Sequence, residues 1–136
     1  MKIARSALEA IKAHGAEGYP YEICGLLIGY PERLQVLEAR PVPNLIKDRA
    51  RDRYLVDGIA DMRIRKQLYG TALDVVGYYH SHPDHPAKPS KFDEDNSYLG
   101  YVYVIVSVAK GKPEDANAFV AQSDGGPFRS EPLEVV

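Results

Sequence analysis

The chain has little cysteine, no marked excess of either charge and no long apolar run. Cys24 is the only cysteine in 136 residues, which excludes an internal disulfide and points to a reducing compartment. No apolar stretch approaches the roughly 20 residues that cross a bilayer. Arg5, Glu9 and Lys12 break up any signal-like segment at the start. No membrane partner is expected, and cytoplasmic residence is the default. Lys and Arg number 17 against 19 Asp and Glu, for a net charge of -2. Nucleic-acid phosphates need a clustered cation excess, so no nucleic-acid partner is expected. The one cationic run, residues 49–53, is interrupted by Ala50 and Asp52 and reads as a solvated loop. Repeats, linkers and low-complexity tails are absent as well. With 45% hydrophobic and 26% charged residues, the expectation is a single domain over residues 1–136 with one core.

Periodicity divides the chain into an α/β order. Ala4, Ala7, Leu8 and Ile11 lie on one helical stripe, ended by Gly15 and by Gly18-Tyr19-Pro20. Y-E-I-C-G-L-L-I-G-Y is apolar except at Glu22 and reads as a buried strand. A turn at Pro31-Glu32-Arg33 leads to a second strand over 34–40, and residues 41–52 form a loop. A short strand is expected over 53–57. Asp57 then caps a helix bearing Ile59, Ala60, Ile64 and Leu68, closed by Gly70. Strands follow over 73–79 and 101–108, the second rich in β-branched and aromatic residues. A short helix is expected after Asp93, and weaker strands over 117–122 and 128–135 flank the Asp124-Gly125-Gly126 turn. These elements predict a mixed sheet with two or three helices.

Three of the four histidines crowd into G-Y-Y-H-S-H-P-D-H-P-A-K-P-S-K-F-D, at the end of the strand expected over 73–79. Side chains alternate along a strand, so His80 and His82 share a side and Ser81 faces away. Two imidazoles so placed reach one ion. Pro83, Pro86 and Pro89 recur every third residue, the period of polyproline II, and predict a stiff arm without regular hydrogen bonds that returns Ser90 and Asp93 to a fixed place. Two nitrogens and one carboxylate leave the fourth tetrahedral position of a catalytic zinc site open. Each part also has a plainer reading. Ser90-x-x-Asp93 is a helix start, H-x-H is often two surface imidazoles, and His85 competes as third ligand. Glu22 is either a strand-end carboxylate facing water or a general base beside the metal.

Taken together, Glu22, His80-Ser81-His82-Pro83, Ser90 seven residues beyond and Asp93 three later resemble the JAMM (MPN+) metalloprotease signature, with no gap in the spacing. E-I-C-G-L-L-I-G and V-G-Y-Y-H-S-H-P-D-H-P-A-K-P-S resemble the compact stand-alone prokaryotic members. The resemblance implies a cytidine-deaminase-like α/β sandwich and a Zn2+-dependent peptidase or isopeptidase. It implies His80, His82 and Asp93 as zinc ligands, Glu22 as base and later proton donor, and Ser90 as oxyanion stabiliser. The substrate it implies is a ubiquitin-like or sulfur-carrier protein conjugate, cut after a C-terminal Gly-Gly, with release of cysteine from such a carrier as a related possibility. The H-x-E and P-C-x-x-C pattern of zinc deaminases is absent, as is H-E-x-x-H. Two other readings stay open: a non-catalytic scaffold of the same fold, and a zinc store built on His80, His82 and His85. His14 and Cys24 read as structural. Asp84 and His85 either line a groove or solvate the loop, and the tyrosines of 98–103 fit either strand propensity or an interaction face.

Overall fold

Side-chain alternation builds a sheet whose two faces carry different loads. In the computed structural model, which describes residues 1–48 and 50–136, eight strands form one mixed sheet among the described residues. They are β1 (Lys2–Ile3), β2 (Cys24–Tyr30), β3 (Gln35–Val42), β4 (Asp74–Pro83), β5 (Val102–Ala109), β6 (Lys112–Ala121), β7 (Phe128–Glu131) and β8 (Glu134–Val135). The spatial order is β7-β6-β5-β4-β2-β3-β1-β8, with β4 parallel to β5 and antiparallel to β2. Arg49, in the expected cationic run, lies outside the described residues; Arg51 and Asp52 are exposed turn, as expected of a solvated loop.

Helix α1 (Arg5–Gly18) covers one face, where Ile3, Ala7 and Ile11 pack with Leu27, Val104, Val106 and Val108. Gly15 does not end this helix. A Cβ there would come within 3.0 Å of Val108 Cγ2 and 3.6 Å of Ser81 Cβ, so the glycine lets the helix lie close on the sheet. Helix α2 (Gly58–Leu68) backs the opposite face, against Cys24, Leu26, Ile28, Tyr54 and Val75. Asp57 caps it as expected, accepting from Ile59 N at 2.9 Å and Ala60 N at 3.3 Å. Ile59 belongs to the solvent side rather than the buried stripe, at 60% exposure.

Several boundaries depart from the sequence expectation. Strand β3 runs on to Val42, and β4 extends through both histidines to Pro83. The 53–57 segment forms no strand, only a bridge between Asn44 and Val56. β1 and β8 are two-residue strands in a parallel pair, too short to leave a periodic signal. β6 starts at Lys112 because Lys110 and Gly111, at φ 50° and 84°, close a tight hairpin from β5. The proline arm is not one polyproline II run. Asp84 turns it at φ 58°, and the Lys88 amide donates to the Pro86 carbonyl at 2.8 Å. Among the described residues no helix is long and apolar enough to cross a membrane.

A bulge sets the face of the histidines. Leu27 pairs with Gly77 and Ile28 with Val75, which leaves Val76 as the extra residue. Val76 and Tyr79 therefore face α1, while Val75 and Tyr78 face the α2 side. By alternation His80 and His82 stay on that second side, with His80 flanked in register by Cys24 and Ile105 and His82 beside Ser107.

Candidate active site

The last turn of β4 and the short helix α3 (Lys91–Asp95) bring three donor groups together. His80 Nε2 lies 3.2 Å from His82 Nε2. Asp93 offers Oδ1 at 3.2 Å to His80 Nε2 and Oδ2 at 3.0 Å to His82 Nε2. Donors about 2.0 Å from a tetrahedral zinc stand about 3.3 Å apart, close to these three edges. Two imidazole lone pairs and a carboxylate repel one another unless a proton or cation lies among them, so the donor set fits a bound cation.

The second-sphere contacts explain these orientations. His82 Nδ1 lies 2.8 Å from the Pro86 carbonyl, which only accepts; Nδ1 therefore carries the proton and Nε2 keeps its lone pair toward the cluster. Asp93 is held by a capping box: Ser90 Oγ accepts from Asp93 N at 3.1 Å, and Asp93 Oδ2 accepts from Ser90 N at 2.8 Å. The helix thus begins at Ser90, ahead of Asp93 rather than after it. The helix-start geometry of this pair and the contacts of Asp93 with both imidazoles coexist. Burial lowers His80, with Asp93 opposing that shift. Burial also works downward on His82, but bonds to Asp93 and the Pro86 carbonyl and the Asp93 and Glu22 charges outweigh it, leaving its pKa above the ordinary range. For Asp93 burial works upward, yet the His80 charge and the bonds from both imidazoles and Ser90 N hold it well below the usual carboxylate range.

Glu22, just ahead of β2, reaches the same point from 58 residues away. It is 6% exposed, and its Oε1 is buried without a hydrogen-bond partner. One Glu22 oxygen and one nitrogen from each imidazole lie within 4.8 Å of one another, so Glu22 and Asp93 are alternative third donors by proximity alone. Asp93 is the one in direct contact with both rings. Glu22 stands off with an unspent oxygen, as suits a group acting on a molecule held there. Burial pushes its pKa up to about 8; the His82 charge opposes this, and the Asp93 and Asp52 charges add to it.

An open cleft of ≈ 400 Å³ leads to this point, lined by Glu22, Arg53, His82, His85, Ser90 and Phe92 among others. Ser90 is exposed in it; its oxygen already accepts from Asp93 N, so its O–H is left to donate. His85 is exposed on the wall and stands outside the converging group. Asp84 accepts from Tyr19 O–H at 2.6 Å and Lys110 N at 2.8 Å, and so ties the arm to the β5–β6 hairpin. Ser81, on the α1 side, accepts from Ile23 N at 3.0 Å. Cys24 is fully buried, and burial pushes its thiol up to about 12, which leaves no thiolate near neutrality. His14 bonds the Tyr79 hydroxyl at 2.8 Å. Of the tyrosines of 98–103, Tyr101 accepts from Arg65 at 3.2 Å and Tyr103 is buried, while Tyr98 is largely exposed. Sequence reasoning missed Asn44, Tyr54 and the Pro86 carbonyl. Their roles rest on contacts distant in sequence or made by backbone, for which residue types carry no signal.

A mixed α/β sheet carrying a buried glutamate, two imidazoles and an aspartate around one point defines the class as a JAB/MPN-type domain with a candidate metal centre. The chain belongs to the family described as prokaryotic homologs of the JAB domain, which it matches over residues 4–122. It is 35% identical over 112 residues to the desampylase of Haloferax volcanii, covering 79% of this chain and 80% of that one. It is 34% identical over 103 residues to the probable TtuB-protein conjugate cleaving protease of Thermus thermophilus, covering 76% and 67%. The fold matches a JAB1/MPN domain protein from Archaeoglobus fulgidus with a TM-score of 0.65 at 23% identity, covering 100% and 97%.

Proposed function

We propose that this chain is a zinc-dependent hydrolase of peptide and isopeptide bonds. Its substrate in this reading is a ubiquitin-like or sulfur-carrier protein conjugate, cut after a C-terminal Gly-Gly in the cytoplasm. The observation that carries the reading is the meeting of three contact-distance donors with a buried carboxyl group that has one unpartnered oxygen. The names of the two relatives, a desampylase and a conjugate cleaving protease, support the substrate class. His80, His82 and Asp93 would hold the ion. Two nitrogens and one oxygen suit zinc over magnesium or calcium, which favour oxygen alone. When bound, zinc supplies a Lewis acid that brings the pKa of water from about 15.7 toward roughly 7.

The protein side chains do the rest. Glu22 takes the proton of the attacking water on a carboxylate oxygen and passes it to the leaving amine. Its enclosure raises its affinity for that proton, which suits a shuttle near neutral pH. The Ser90 hydroxyl donates to the oxygen that gains charge as the carbonyl carbon becomes tetrahedral; such a donor contributes about 3 kcal/mol. Glycine on the acyl side lets the backbone approach the centre without a Cβ. Release of cysteine from a sulfur carrier would use the same steps with a different amine. The retained donors weigh against a non-catalytic scaffold, and the contacts of Asp93 weigh against a store built on His85.

The test is incubation with tagged Gly-Gly carrier conjugates, with and without a chelator, read by intact mass. Cleavage after Gly-Gly should stop with chelator and return with zinc. His80→Ala should lose zinc, while Glu22→Gln should keep zinc and lose hydrolysis. Wild-type rates in Glu22→Gln would remove the base assignment, and a wild type that takes up no zinc would favour the scaffold.

A further inference from the structure

Asn44 carries no chemistry of its own, yet its amide is fully engaged beneath the cleft. Nδ2 donates to the Glu22 carbonyl at 3.1 Å and the Arg53 carbonyl at 3.0 Å. Oδ1 accepts from Ile46 N and Leu55 N, each at 3.0 Å. Both donors and both lone pairs of the side chain are therefore used. The Glu22 amide also donates to the Ala50 carbonyl, and the Leu45 amide to the Leu55 carbonyl at 2.9 Å. Asn44 and Ala50 thus hold the Glu22 backbone at its carbonyl and at its amide.

Tyr54 lies between Arg53 and Leu55, the two residues whose backbone Asn44 bonds. The Tyr54 ring stacks on His80 with centroids 4.2 Å apart and planes 19° apart. His80 needs such a support. A metal-facing imidazole is ordinarily oriented by a hydrogen bond at its far nitrogen, as Pro86 does for His82. His80 Nδ1 is buried and has no such partner among the described residues. Aromatic stacking takes its place.

We infer that Asn44 is a positioning residue that sets Glu22 against the imidazole pair, and that Tyr54, held by the same amide, is the orienting support of His80. The inference rests on the reading of Glu22 as proton carrier. One side chain fixes two parts of the site that the sequence places 58 residues apart. A 1 Å misplacement of such a group costs on the order of a hundredfold in rate.

The test uses the full zinc-loaded chain. Asn44→Asp keeps the acceptor for Ile46 and Leu55 but loses both donors and sets a carboxylate against two carbonyls. It should retain slow amide exchange at Ile46 and Leu55, full zinc per chain and a KM within about twofold, while kcat falls about ten- to a hundredfold. Asn44→Ala should add fast exchange at both amides. Tyr54→Leu should weaken zinc retention about tenfold, and Tyr54→Phe should restore it, because the stack does not need the hydroxyl. Wild-type kcat in Asn44→Asp, or a kcat loss matched by zinc loss, would overturn the role of Asn44. Equal zinc retention in Tyr54→Leu would overturn that of Tyr54. With the same conjugate, a wild type that fails to cleave removes the functional reading and this role with it. A cleaving wild type beside an unaffected Asn44→Asp removes only this role.

Discussion

A carboxyl group enclosed as Glu22 is gives up its proton reluctantly, because the charged form loses water that the His82 charge replaces only in part. Its pKa rises from the ordinary 4.5 to about 8, chiefly by burial. In the metal-free chain this is a pH-dependent loss of stability. Between those two values the unfolded chain releases the proton first, so the folded state is favoured below 4.5 and that advantage is lost as pH rises through about 8. The loss is on the order of a few kcal/mol. Glu22→Gln carries no such charge. In urea melts with chelator present, the variant should match wild type near pH 5 and exceed it clearly near pH 9. A variant no more stable than wild type at pH 9 would show that the carboxylate finds solvent or a partner. This is the expected cost of keeping a carboxyl group with an unpartnered oxygen inside a protein, and it is why Glu22 stands out in an otherwise apolar segment.

Elements that bury whole runs, such as β2 and β5, were legible from composition, and α2 from its cap and closing glycine. The residues that converge were legible too, because His80, His82 and Asp93 lie within one short stretch. What stayed hidden was set by tertiary contact. Gly15 reads as a helix end until the sheet beneath it is known, and the Val76 bulge shifts the alternation of β4 without a local mark. The 53–57 segment has strand-forming residues but serves as a support for His80, which needs Asn44 rather than a ladder. In the proposed function one motif of helix α3 has two jobs. Ser90→Ala removes an N-cap, which costs about 1 kcal/mol of stability, and removes the hydroxyl donor. Far below the melting temperature, kcat should then fall about a hundredfold, since the donor faces the cleft. Ser90→Thr should restore both. A lower melting temperature with unchanged kcat would leave Ser90 as a cap alone.

At the scale of the whole molecule, a bound ion would join the end of β4 to α3 through His80, His82 and Asp93, beside Glu22, which comes from just ahead of β2. An ion that binds only the folded chain stabilises it by mass action, by about 2.7 kcal/mol at a free concentration of 100 Kd. That corresponds to several degrees in Tm for a chain of this size. The direction with pH follows from His82. Its pKa is raised, so in the metal-free chain it contributes stability that is full below 6.5 and lost as pH rises through its folded value. Glu22 loses stability over an overlapping range, so both groups weaken the metal-free protein toward pH 8. Zinc works the other way, because it takes neutral imidazole and competes with the proton there. The gain in Tm on adding zinc should therefore be larger at pH 8 than at pH 6, and His82→Ala should show little gain at either. Equal gains in wild type and His82→Ala would mean that zinc acts elsewhere on the chain. A larger gain at pH 6 would mean that the imidazoles are not the groups from which the ion displaces protons.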